Sequence, residues 1–233
     1  MLPREVRMPP IVLCIFVFLI STPIHAVAAY AADGGQIAAN GNGRGAPACS
    51  ACHGAQGEGQ PDVANPRLAG LDGDYLIAQL NAFAEGSRDN EAMSPIAKAL
   101  TPDERQAVAK FYAGLVTPGI DESHRADDTT LASGAALANR GDWSKGLPGC
   151  GQCHGPAGQG VGKTFPALAG QSGEYIMRQL KAWRDGKRTN DPLHLMTGIS
   201  SKLSDDQIAA VAAYYASLPV AARAAAKPLG STP

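Results

Sequence analysis

Residues 47–59 read PACSACHGAQGEG, and residues 148–160 read PGCGQCHGPAGQG. Each stretch sets two cysteines three apart, a histidine directly after them and a glycine-rich run: Cys49, Cys52 and His53, then Cys150, Cys153 and His154. Thiols and imidazoles at this spacing have four uses: a zinc site, a redox dithiol, a disulfide, or covalent capture of a haem. On a helical turn, residues three apart share a face. Two sulfurs can therefore bond the two vinyl groups on one porphyrin edge, and the next residue brings its imidazole beneath the ring to bind iron. Cys-x-x-Cys-His is the sequence form of c-type haem attachment. Zinc would use both pairs and both histidines together, yet the pairs sit about a hundred residues apart in separate repeats. A thioredoxin-like dithiol needs a βαβ setting, and a disulfide inside Cys-x-x-Cys closes a loop too short to constrain much. The spacing favours two covalently bound haem c groups.

The opposite face of each iron needs a second ligand. Beyond residue 31 the chain has three methionines, Met93, Met177 and Met196. Met93 and Met196 each stand seven residues before a leucine, Leu100 or Leu203, that precedes a helix-capping sequence, so they occupy equivalent places. A thioether is soft and favours ferrous iron. Met177 aligns with Ile77 and reads as core packing. His194, two residues before Met196, is the competing ligand, with a solvated loop histidine as the plain alternative. His124 reads as solvated. Iron held by His and Met has no open position, which suits electron transfer rather than oxygen or peroxide chemistry. The glycine-rich stretches 54–59 and 155–162 lack the strand before and the lysine after that a phosphate loop requires, and read as turns.

The elements that position these residues come in two copies. NPRLAGLDGDYLIAQLNAFAEGSRDN (65–90) lies over FPALAGQSGEYIMRQLKAWRDGKRTN (165–190) without a gap, and LTPDERQAVAKFYAGL (100–115) lies over LSDDQIAAVAAYYASL (203–218). The offset grows from 100 to 103, so the second copy carries three extra residues before Met196. Thr101-Pro102-Asp103-Glu104 and Ser204-Asp205-Asp206-Gln207 are capping boxes. Val108, Phe111, Tyr112 and Leu115, and their counterparts Val211, Tyr214, Tyr215 and Leu218, fall on one helical face. Asp72 and Ser172 cap helices that begin near Tyr75 and Tyr175. No alternating strand is evident, so the fold class is all-α, in two tandem domains. Both copies are rich in alanine, which favours helix but buries little area. A large apolar cofactor would supply the missing interior and favour the folded state.

Residues 1–31 read as a cleaved secretory signal, with Arg4 and Arg7 ahead of the apolar run IVLCIFVFLI and A-x-A cuts after Ala28 or Ala31. Retention as a membrane anchor is the alternative, although about ten apolar residues before Pro23 are few for a span. The remaining divisions are a first domain at 32–116, a linker at 117–130, a second domain at 131–220 and a tail at 221–233. Without the leader, 18 Lys and Arg face 20 Asp and Glu, a balance that speaks against nucleic acid as partner. Residues 32–120 carry six bases and ten acids while residues 131–233 carry eleven and six. The basic second half, notably MRQLKAWRDGKR with Arg178, Lys181, Arg184, Lys187 and Arg188, is expected to face an acidic redox protein.

Two Cys-x-x-Cys-His motifs, each followed by PRLAG or PALAG, QL..F/W..G.R, a methionine and a YYASL-type last helix, resemble cytochrome c4. The resemblance covers essentially all of the chain beyond the leader. It implies two class I cytochrome c domains, each wrapped around one covalent haem c, in a periplasmic electron carrier; peripheral association with a membrane and a monomeric state are expected beside it. It implies that the carbonyls of Pro66 and Pro166 accept bonds from the ligand histidines. It also suggests that Arg88 and Arg188 meet haem propionates, plain surface arginines being the alternative. The expected function is carriage of single electrons from a quinol-oxidising complex or a dehydrogenase to a terminal oxidase or other acceptor. The alternative is an electron-accepting subunit of a larger dehydrogenase of the flavocytochrome type, with a dihaem peroxidase or gas sensor behind both.

Overall fold

The computed structural model describes residues 32–116 and 126–220. The leader expected at 1–31, the linker through residue 125 with His124, and the tail 221–233 lie outside the described residues. Five helices form the first repeat: α1 (Gly34–Asn40), α2 (Ser50–His53), α3 (Gly73–Glu85), α4 (Met93–Ala99) and α5 (Pro102–Gly114). Five more form the second: α6 (Asp128–Arg140), α7 (Gly151–His154), α8 (Gly173–Arg184), α9 (Leu195–Ser200) and α10 (Asp205–Ser217). Among the described residues there are isolated bridges but no strands. The last three residues of the stretch read as linker are the first turn of α6, capped by the Asp127 carboxylate on Thr130 N.

Local sequence explains where these helices start. Both capping boxes form: the Thr101 hydroxyl accepts from Glu104 N while the Glu104 carboxylate accepts from Thr101 N, and Ser204 and Gln207 do the same. Asp72 and Ser172 accept from Tyr75 N and Tyr175 N at the starts of α3 and α8. The apolar stripe then decides which face turns inward. Val108 and Tyr112 are buried, as are Val211 and Tyr215.

In each repeat the first helix crosses the last, α1 on α5 and α6 on α10. The crossings are backbone to backbone. A Cβ on Gly34 would overlap the Ala107 carbonyl, and one on Gly134 would overlap that of Ala210. Two further helices close each core, with Leu71, Tyr75, Leu76 and Ala109 in the first and Leu147, Ile176, Leu180 and Ile208 in the second. The short helices α2 and α7, which carry the cysteine motifs, sit against these cores through Cys49 and Cys150.

Candidate cofactor sites

Each motif folds as a single helical turn. Cys49 and Cys150 are in αR backbone at the N-caps of α2 and α7, so both sulfurs of each motif and the following histidine lie on one turn. The turn stops at Gly54 or Gly155, with φ of 81° and 83°, where a β-carbon would be strained. The chain then loops back, with Gly59 N donating to His53 O and Gly160 N to His154 O, each at 2.8 Å. This return brings Pro66 and Pro166 over the imidazoles. His53 Nδ1 lies 2.9 Å from the Pro66 oxygen and His154 Nδ1 2.8 Å from the Pro166 oxygen. A carbonyl only accepts, so Nδ1 carries the proton and Nε2 keeps its lone pair for a metal. Both histidines are buried, and burial holds their pKa values below the usual range despite the carbonyl bonds, which favours the neutral, ligating form.

None of the four described cysteines is paired in a disulfide, and among the described residues no cluster of three or more His, Cys, Asp or Glu could hold a metal ion. Neither a disulfide nor a zinc site is built here.

Beside α7 lies a cavity of about 810 Å³, within the roughly 300–1,000 Å³ typical of cofactor sites. Cys150, Cys153, His154, Phe165, Met196 and Tyr215 line it. Met196, the second residue of α9, thus shares one chamber with His154. Met177 is outside that chamber and borders a small pocket with Ala126, Thr130 and Ala212. His194 is exposed, in left-handed backbone at the N-cap of α9, and does not line the cavity. In the first repeat Met93 opens α4, its N–H donating to Asn90 Oδ1 at 2.8 Å.

The chamber suits a haem on two counts. Its wall is largely apolar, and the buried indole Nε1 of Trp183 in that wall has no hydrogen-bond partner among the described residues. Buried donors are ordinarily satisfied, and a haem brings two carboxylates.

Arg88 and Arg188 are not plain surface arginines. Both are buried, and each reaches into the other repeat. Arg88 Nη2 donates to Tyr175 Oη and Gln179 Oε1, each at 2.7 Å, and Arg188 Nη2 to Gln79 Oε1 at 2.9 Å. Their backbones form an antiparallel bridge, and their guanidinium groups stack over Phe83 and Trp183. No described carboxylate pairs with either arginine. Burial first, then repulsion from Arg88, depress the pKa of Arg188. Buried charges are ordinarily paired, so an anionic group brought by a cofactor would fit beside these two cations.

The expected basic face of the second domain is correspondingly thinner. Arg188 is withdrawn, Arg178 pairs with Glu174 at 3.0 Å, and Arg184 pairs with Asp205 at 2.7 Å. Lys163 and Lys187 remain exposed and outside any described ion pair.

Gln79, Gln179 and Trp183 stand in the motif QL..F/W..G.R with no role assigned to them from sequence, and neither Arg67 nor Gln171 was singled out. The identity of Gln79 and Gln179 across the repeat was a usable signal. Arg67 and Gln171 face Ala167 and Leu71 in the other copy, so the repeat pointed away from them.

Residues 31–115 and 131–219 match the family described as Cytochrome c. The "Thiosulfate dehydrogenase electron acceptor" of Thiomonas intermedia (strain K12) is 47% identical over 75% of this chain and 80% of its own length. A protein of the same description from Stutzerimonas stutzeri (strain A1501) is 46% identical over 82% and 88%. Cytochrome c4 of Thiocapsa roseopersicina is 39% identical over 73% and 86%. Among solved structures, thiosulfate dehydrogenase of Marichromatium purpuratum in its as-isolated form superposes with a TM-score of 0.75 at 41% identity, over 82% of this chain but 40% of that longer one. Reduced cytochrome c4 of Pseudomonas stutzeri superposes with a TM-score of 0.70 at 30% identity, over 79% and 96%.

Proposed function

The chain belongs to the cytochrome c family as a dihaem electron carrier with two tandem domains, and from that premise we propose that it accepts electrons from a thiosulfate-oxidising dehydrogenase. The observation that carries this reading is the pair of relatives at 47% and 46% identity, both described as thiosulfate dehydrogenase electron acceptors. The longer thiosulfate dehydrogenase chain, whose matched part is 40% of its length, supports it.

Cys49 and Cys52 would hold one haem c and Cys150 and Cys153 the other. His53 with Met93, and His154 with Met196, would bind the two irons. When bound, such a group supplies one-electron exchange between ferric and ferrous iron. The chain's own part is to prepare the site. The Pro66 and Pro166 carbonyls hold the imidazoles in one tautomer and one orientation. Apolar side chains around Met196 and Tyr215 give the chamber a wall that suits an apolar ring. Arg88 and Arg188 supply two buried cations that would meet the propionates. The export signal read at the N-terminus supports action in the periplasm. No helix among the described residues is long and apolar enough to cross a membrane.

A second reading, a free shuttle toward a terminal oxidase, is favoured by the cytochrome c4 relatives. One experiment separates the two. Oxidised protein is mixed with thiosulfate and the thiosulfate dehydrogenase catalytic subunit of the same cell, and the ferrous haem band is followed. Reduction that requires both additions is expected. A catalytic subunit that reduces ferricyanide with thiosulfate yet leaves this protein oxidised would overturn the thiosulfate reading.

A further inference from the structure

The peptide unit joining Pro66 to Arg67 is engaged at both polar ends, and by different domains. Its carbonyl accepts from His53 Nδ1 at 2.9 Å, inside the first repeat. Its N–H donates to Oε1 of Gln171, in the second repeat, also at 2.9 Å. Gln171 is buried and both ends of its amide are engaged. Oε1 also accepts from Ser172 N at 3.0 Å, and Nε2 donates to the Arg67 oxygen at 3.0 Å. The Arg67 side chain fastens the same two turns together. Nε donates to Gly170 O at 3.2 Å, Nη2 to Ala169 O at 3.1 Å, and Nη1 to Ala69 O. Burial lowers the Arg67 pKa to about 10, which still leaves a cation at neutral pH.

The arrangement runs in one direction. The internal repeat puts Leu71 at the position of Gln171, and a leucine side chain cannot accept a hydrogen bond. The Pro166–Ala167 peptide, which holds His154, therefore lacks the corresponding partner from the first domain.

An amide whose N–H is bonded becomes a stronger acceptor at its oxygen. A stronger acceptor on Nδ1 makes the imidazole a better donor at Nε2, and such outer partners tune a metal site. A better donor stabilises ferric over ferrous iron. We propose that Gln171 is a positioning residue for the first domain's histidine: through the Pro66–Arg67 peptide it orients and polarises His53 and lowers the electron affinity of the first haem. The residue belongs to the second domain and lines the second domain's chamber, yet by this route it acts on the first. By this route a shift of the Arg67–Gln171 contact, as when a partner docks, reaches the first haem. The inference rests on His53 being an axial ligand.

The test uses the full-length holoprotein, isotope-labelled so that the His53 and His154 ring protons are assigned by NMR, with the two midpoint potentials measured by spectroelectrochemistry. Gln171→Leu, which copies the first repeat, should weaken the Nδ1–H bond of His53. The His53 Nδ1 proton should move upfield, with a two- to tenfold shift toward the ferrous form at the first haem and the second haem little changed. Gln171→Glu keeps an oxygen on the Arg67 N–H and should move the first haem the opposite way, which decides the matter if the leucine variant folds poorly. Unchanged His53 signals in either folded variant, or a shift confined to His154 and the second haem, would overturn the proposal. Wild-type spectra in which His53 shows no iron-shifted ring protons would instead defeat the ligand assignment on which it rests.

Discussion

Replacing Trp183 by phenylalanine discriminates between two accounts of the second chamber. The indole Nε1 is buried there without a protein partner, and the first repeat has Phe83 at the matching place. The aromatic stack should survive the change, because Arg88 sits 4.4 Å from the Phe83 ring centre while Arg188 sits 3.9 Å from that of Trp183. What the substitution removes is the N–H. If that donor serves a haem carboxylate, its loss forfeits a hydrogen bond to a charged group, about 1.5–3 kcal/mol. If it serves nothing, the substitution relieves a buried unsatisfied donor, a gain of about 1–3 kcal/mol offset in part by the smaller ring. Guanidinium chloride unfolding of the holoprotein, followed by far-UV circular dichroism and the haem band, reads the sign. We expect the midpoint to fall. A carboxylate freed of its donor also carries more negative charge toward the iron, so the second haem's potential should fall while the first holds. A Trp183→Phe protein of equal or greater stability with both potentials unchanged would refute the haem-carboxylate account.

Met93→Ala and Met196→Ala should each open one iron to carbon monoxide and lower one potential, leaving the other haem nearly unchanged, whereas Met177→Leu should do neither; loss of a methionine-ligand absorbance in Met177→Leu would reverse the assignment. His194→Ala should leave the second haem low-spin in its visible spectrum. Lys187→Glu should slow association with an acidic redox partner at low salt and flatten the salt dependence in stopped flow, at constant potentials; an unchanged salt slope would remove the second domain's basic face from docking.

The parts of this protein legible in sequence are those whose physics is local. A Cys-x-x-Cys-His turn, a capping box from Thr101 to Glu104 and a stripe through Val108 and Tyr112 all operate within one or two turns of helix, and the repeat states each of them twice. The spacing of Met93 and Met196 before their capping boxes likewise needed only the chain. Arg88 and Arg188 could not be judged that way. Whether a guanidinium is solvated or buried depends on what arrives from elsewhere, and here each is met by a glutamine of the other repeat, Gln179 for Arg88 and Gln79 for Arg188. The indole of Trp183 has no hydrogen-bond partner among the described residues, so only its burial in the chamber wall exposes the requirement. The Arg67–Gln171 contact is the extreme case. It joins residues 104 apart that break the internal symmetry. Local interactions selected the helices and the haem-binding turns, while the docking of two similar but unequal domains decided which polar groups lost water and had to find one another.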